Sequence, residues 1–273
     1  MTARLALAAL CLGITGCVQA LREPPPLSDL GGAGHERRPI PAPGEVGALL
    51  TQADVLYTRR DLASVREAAA LWLDAARADT RRVEGLAGAT RAFVWIVEHE
   101  PSAGARVEAA TTAVQAAQWC ARIAPDNAAC AYWLGASLGV QARERHATGL
   151  DALPLIEQAF KRAAQLDPTQ EDAGPDRALA LLYLRAPGWP TGPGDPDLGL
   201  THARRAVELK PEHAPNHLAL GEALVATGDV ATGGAEYRRA LELARNDTHA
   251  APQDAAEWIQ EAEKALAEAP RND

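Results

Sequence analysis

From residue 46 onward apolar positions recur at intervals of three and four, interrupted at Pro, Gly and Asp, and this period predicts helices, with no convincing strand. The interruptions place helices near 46–60, 62–78, 81–100, 103–124, 127–145, 153–167, 175–185, 197–210, 214–227, 230–245 and 253–268. They pair into five antiparallel hairpins and a remainder. The last segment sets Ala255, Trp258, Ile259, Ala262 and Leu266 on one face against Glu257, Gln260, Glu261 and Lys264 on the other. A helix with one apolar and one solvated face is how a stack of hairpins is sealed at its end.

A regular train of hairpins calls for a search for repeats. The clearest unit is 214–245, where His217, Leu220, Gly221 and Leu224 stand at the W-x-x-L-G-x-x-Y spacing of a tetratricopeptide (TPR) repeat. Gly233, Tyr237 and Ala240 follow at the spacing of its second helix, while His217 replaces the usual Trp and Arg245 the closing Pro. The same closing phrase reads Ala117, Cys120, Pro125, then Phe160, Ala163, Pro168, then Ala203, Ala206, Pro211. Pro125, Pro168 and Pro211 are 43 residues apart, a 34-residue repeat carrying a 9-residue insertion. The pattern resembles an all-α, TPR-type α-solenoid of antiparallel helix hairpins with a C-terminal capping helix.

The start of the chain has another character. Residues 1–16 hold one basic residue, Arg4, and an apolar run from Leu5 to Leu12, too short to span a bilayer and shaped like an export signal. Ile14, Thr15, Gly16 and Cys17 resemble the bacterial lipobox, whose cysteine is acylated after cleavage; the other reading is an ordinary signal peptide with a coincidental cysteine. Val18 after Cys17 implies, by the usual sorting rule, the periplasmic face of the outer membrane of a Gram-negative envelope. Residues 17–44, rich in Pro and Gly, read as the acylated cysteine plus a solvated tether, and 45–269 as the folded body.

Composition narrows the function. The chain is 47% hydrophobic but only 4% aromatic, so its core is built from Ala, Leu and Val, and its net charge of -9 argues against a nucleic-acid surface. No zinc-protease, calcium-loop, phosphate-loop or nucleophile-elbow pattern survives inspection, so no catalytic residue, metal ligand or cofactor is expected. Cys120 and Cys130 flank the turn at Pro125, about equally far from it. In an oxidising envelope they are expected to form a disulfide, the alternative being two buried thiols. The loop 186–196, stiffened by Pro187, Pro190, Pro193 and Pro196, displays Trp189 as an interface anchor unless it folds back on its own hairpin. Trp133, next to Tyr132, is a candidate for a concave binding face, the alternative being a core position; Tyr132, Tyr183, Asn216 and His217 complete the set, whereas Trp72, Trp95 and Trp119 read as core.

The lipobox, the Pro-rich tether and the helical body, with Leu181, Arg185, Ala186, Pro187, Gly188, Trp189, Pro190, Ala206, Pro211, Asn216 and Leu220, resemble the TatT family of periplasmic TPR lipoproteins associated with TRAP transporters. The likeness is specific between about 130 and 245. It implies a non-enzymatic protein that docks a periplasmic solute-binding protein, forms a trimer and relays a small ligand. A scaffold or pilotin-like lipoprotein of an outer-membrane machine is the alternative, and an enzyme using acidic groups on the concave face a third possibility.

Overall fold

The computed structural model describes residues 23–31, 42–145 and 149–268. Among them are eleven α-helices: α1 (Val46–Tyr57), α2 (Leu62–Ala78), α3 (Glu84–His99), α4 (Ala103–Ile123), α5 (Ala128–Glu144), α6 (Gly149–Leu166), α7 (Gln170–Arg185), α8 (Pro196–Leu209), α9 (Ala214–Ala226), α10 (Val230–Asn246) and α11 (Pro252–Glu268). Local chemistry starts several of them. The side chains of Asp61, Asn127 and Asp229 accept the backbone N–H three residues on, and Asp195 caps α8 ahead of Pro196 at its first position.

Sequential helices pack as antiparallel pairs. Consecutive odd-numbered helices also touch from α1 through α9, so they form the inner layer of a curved two-layer solenoid, and α11 covers α10 and α9 at its end. The chain is therefore an all-α, TPR-type solenoid with a C-terminal cap. One large core occupies α1–α4, with Trp72 and Trp95 buried in it as expected, and a smaller core around Phe160 and Leu179 follows in α5–α7.

Three departures from the expected boundaries have local causes. The first insertion lengthens a helix, so α6 begins at Gly149, four residues before the expected start. Helix α7 is entered through Glu171, Asp172 and Ala173, all left-handed (φ 49°, 53° and 62°), a conformation that costs non-glycine residues energy. Arg177 holds this turn by donating to the carbonyls of Asp172 (3.0 Å) and Glu171 (3.1 Å). The third departure corrects the solvated tether: residues 23–30 lie against the body. Pro24 and Leu30 are buried, and Trp119, expected as core, is half-buried and donates its indole N–H to the Pro25 carbonyl at 2.8 Å.

Candidate functional site

Helix α5 carries Gly135 and Gly139, one turn apart on one face. A Cβ on Gly135 would stand 2.8 Å from the Phe160 ring, just as one on Gly221 would stand 2.6 Å from Tyr237; each glycine exists so that an aromatic of the paired helix can lie on the backbone. Gly139 has nothing within 4 Å of its Cβ position. The space beyond it is a cleft of about 730 Å³. Phe160, Ile156 and Leu153 of α6, Leu182 of α7 and Val94 of α3 line it, and the pair Glu98–Arg143 (3.2 Å) and Arg185 stand among them as charged elements. This apolar lining with few charged groups suits a ligand or peptide side chains that are themselves apolar.

The rim is built from both insertions. Leu150, at the start of α6, is 54% exposed beside Leu153. The loop after α7 is folded on itself by Gly194 N–H to Pro187 O (2.9 Å) and Thr191 N–H to Gly188 O (3.0 Å), and Asp195 N–H anchors it to Tyr183 O (2.9 Å). Gly194 is required there, since a Cβ would lie 2.2 Å from the Ala186 carbonyl oxygen. Pro187 lines the cleft, while Trp189 at the loop tip is 90% exposed. The fold-back reading of Trp189 is thereby corrected: the ring is displayed because the backbone around it is tied down.

A second, more polar cavity of about 580 Å³ adjoins the first through Trp133, which lines both. Its charged groups are Asp54, Arg82, Glu84, Arg91 and Glu171, the last delivered by the left-handed turn before α7. The solenoid also meets itself. Arg60, in the α1–α2 turn, holds Asp254 of α11 through Nε (2.9 Å) and Nη2 (2.8 Å), and His99 at the end of α3 meets Glu257 at 2.9 Å. Helix α11 thus bridges the first and last hairpins. His213 faces Trp258 of α11 with ring centroids 5.4 Å apart, and burial, aided by Arg177, pushes its pKa down to about 4.

Of the residues expected at a binding face, Tyr132 and Trp133 do lie on the cleft, their rings 5.0 Å apart, and burial raises the Tyr132 hydroxyl pKa. Tyr183, Asn216 and His217 do not, and the expectation is corrected. Tyr183 is turned between α6 and α8 and donates to Glu157 at 2.8 Å. Asn216 is fully buried because its amide satisfies the carbonyls of Ala206, Lys210 and Asp172, closing the end of α8. His217 ties Glu236 to the Pro211 carbonyl. Cys120 and Cys130 are joined by a disulfide with Cα atoms 5.2 Å apart. Cys17 lies outside the described residues.

The sequence reading missed Gly139, Leu150, Leu153, Arg143 and Leu182. A signal existed in the small residues at 135 and 139, four apart, and in the leucines placed inside an insertion. The part-buried histidine–carboxylate pairs, His202 with Asp176 (2.7 Å) and His217 with Glu236 (2.6 Å), staple neighbouring helices and do not line the cleft. No group of three or more acidic, histidine or cysteine side chains suited to a metal occurs among the described residues.

No known family model matches the chain, and no curated protein matches it. Among solved structures it is similar to a thermophilic TPR protein of Thermus thermophilus, with TM-score 0.61 and 18% identity over 81% of this chain and 99% of that one. MamA (TM-score 0.46, 17% identity, 74% and 93% covered) is more distant. So is YrrB, described as a TPR protein with an unusual peptide-binding site (TM-score 0.43, 16% identity, 79% and 90% covered). The first likeness is to the fold alone.

Proposed function

We propose that this chain is a non-enzymatic docking protein whose central cleft grips an apolar ligand or the apolar side chains of a protein partner. The observation that carries this reading is the cleft behind Gly139, lined by Phe160, Ile156 and Leu182 and rimmed by a tied-down loop that presents Trp189. Preorganised aromatic and aliphatic surface of this kind loses little conformational freedom on binding. The histidine–carboxylate pairs link neighbouring helices, and among the described residues the cleft is lined mainly by apolar side chains, which supports a binding role. The finer reading is that Cys17 is acylated, that the body works at the periplasmic face of the outer membrane, and that its partner is a solute-binding protein of a TRAP-type system. The motif at 14–17 and the resemblance over 130–245 support it.

Gly139→Trp tests the cleft, because Gly139 lines it and a Cβ added there meets nothing within 4 Å. Binding of an apolar fluorophore to the mature protein, and of any partner recovered with it, is expected to fall at least about tenfold, a loss of some 1.4 kcal/mol. Unchanged binding with an unchanged melting temperature would dismiss the cleft. Metabolic labelling with an alkyne fatty acid, compared with Cys17→Ser, tests the anchor separately.

A further inference from the structure

We infer that residues 23–30 form a docked strap that leaves the chain a short leash, and that the edge of the solenoid made by the α2–α3 turn and the end of α4 therefore faces the phospholipid surface. The inference rests on the proposed acylation of Cys17 and adds to it an orientation. The strap is fastened at each end and in the middle. Glu23 pairs with Arg122 at 3.1 Å, Pro25 accepts from Trp119, and the Leu30 carbonyl accepts from Arg77 at 2.5 Å. Leu30 is 2% exposed and Leu27 packs on the same core. Pro24, Pro25 and Pro26 hold the segment extended before it docks, so little backbone freedom is lost on seating it.

The consequence is a matter of length. Taken as free chain, residues 18–44 stretch to roughly 80 Å, and the body tumbles clear of the lipid. With Glu23 seated, six residue steps separate it from Cys17, and at about 3.5 Å each they span no more than ~20 Å. The side chain of Arg122 is then within that reach of the acyl chains. The α2–α3 turn lies alongside, since Cys120 of α4 meets the Val83 carbonyl at 3.8 Å, and it exposes Arg81 and Arg82. These arginines already face acids, Arg81 with Asp79, Arg82 with Glu84 and Arg122 with Glu23. The edge is charge-balanced, so chain length, and not attraction to anionic lipid, sets the orientation. Salt should leave it unchanged.

The test uses the mature, acylated protein in phosphatidylethanolamine–phosphatidylglycerol vesicles carrying a lipid-bound energy acceptor. Fluorophores are attached singly through Arg81→Cys, on the edge, or Glu242→Cys, on α10. With a leash of ~20 Å, transfer from position 81 is expected to exceed that from position 242 by about twofold, with and without added salt. A Gly/Ser linker of about 20 residues, inserted between residues 22 and 23, has an r.m.s. span near 25 Å. It leaves the strap seated and should abolish the difference; Leu30→Asp should do the same by unseating it. Equal transfer from both sites in the unaltered protein would overturn the orientation. So would rapid hydrogen exchange at 27–30 in the soluble body. Vesicles that fail to retain the protein, together with an unmodified amino-terminal peptide by mass, would instead remove the anchor itself.

Discussion

The first four helices and the next three are built on the same hairpin plan and differ in what the plan leaves at the inner face. In α1–α4 the cavity is polar and stands on closely packed rings: a Cβ on Gly88 of α3 would meet the Trp72 indole at 2.6 Å, Tyr57 sits edge-on to that indole at 5.5 Å, and Arg91 lies over both rings. In α5–α7 the cleft is lined mainly by apolar side chains, and Gly139 looks into it. The difference teaches that glycine serves two ends in this solenoid. At Gly88, Gly135 and Gly221 it lets an aromatic approach the backbone, while at Gly139 it opens onto the cleft.

Alanine at each glycine separates these uses. Gly88→Ala forces a methyl to within 2.6 Å of the buried Trp72 indole, and about 1–3 kcal/mol of stability is expected to be lost. Gly139→Ala meets nothing and removes a helix-interior glycine, so a gain of roughly 0.5–1 kcal/mol is expected. Urea unfolding of both variants reads the opposite signs; a loss at both positions would make the centre as closely packed as the amino-terminal region. The disulfide joins the two regions, tying the end of α4 to the start of α5. Closing so short a loop is worth about 2–3 kcal/mol. Cys120→Ala with Cys130→Ala, or reduction, should therefore lower the melting temperature. An unchanged transition after reduction would mean that α4 and α5 are held by packing alone.

Acid probes the far end, where α11 returns to the first hairpin. His213 has a folded-state pKa of about 4, below its unfolded value, so it is neutral in the folded chain and the unfolded chain takes up the proton first. Its contribution is complete above pH ~6.5 and is lost as pH falls toward about 4, by roughly 1.4 kcal/mol per unit and up to about 2–3 kcal/mol. His213→Gln should flatten this part of the stability profile. A slope in the variant as steep as in the parent would place the acid sensitivity elsewhere.

The helical period made most of the fold legible in the sequence, because each hairpin buries a stripe of Ala and Leu and each turn carries its own cap or breaker. Residues 23–30 were opaque for the opposite reason: three prolines hide the two apolar anchors, Leu27 and Leu30, whose partners come from α2 and α4 nearly 50 residues or more away. Asn216 and His217 misled because a polar residue on an inner helix looks like a ligand-binding group until the carbonyls that surround it are known. The left-handed turn at 171–173 leaves no mark in the sequence either; Arg177 and Asn216 create it by gathering carbonyl oxygens from separate segments.

The smallest effect belongs to Trp189. With 90% of its surface exposed, its ring loses almost no packing on truncation, so Trp189→Ala should change stability by less than about 0.5 kcal/mol. The loop backbone is held by its own hydrogen bonds and by Gly194, which the substitution leaves in place. Any loss of partner binding in this variant is consequently a loss of contact and not of folding. A hot-spot tryptophan costs about 2 kcal/mol or more when removed from an interface. Titration calorimetry of Trp189→Ala beside Gly139→Trp then distinguishes two sizes of ligand. A small apolar molecule held within the cleft should respond to the change at 139 alone, whereas a protein partner that also covers the rim should respond to both.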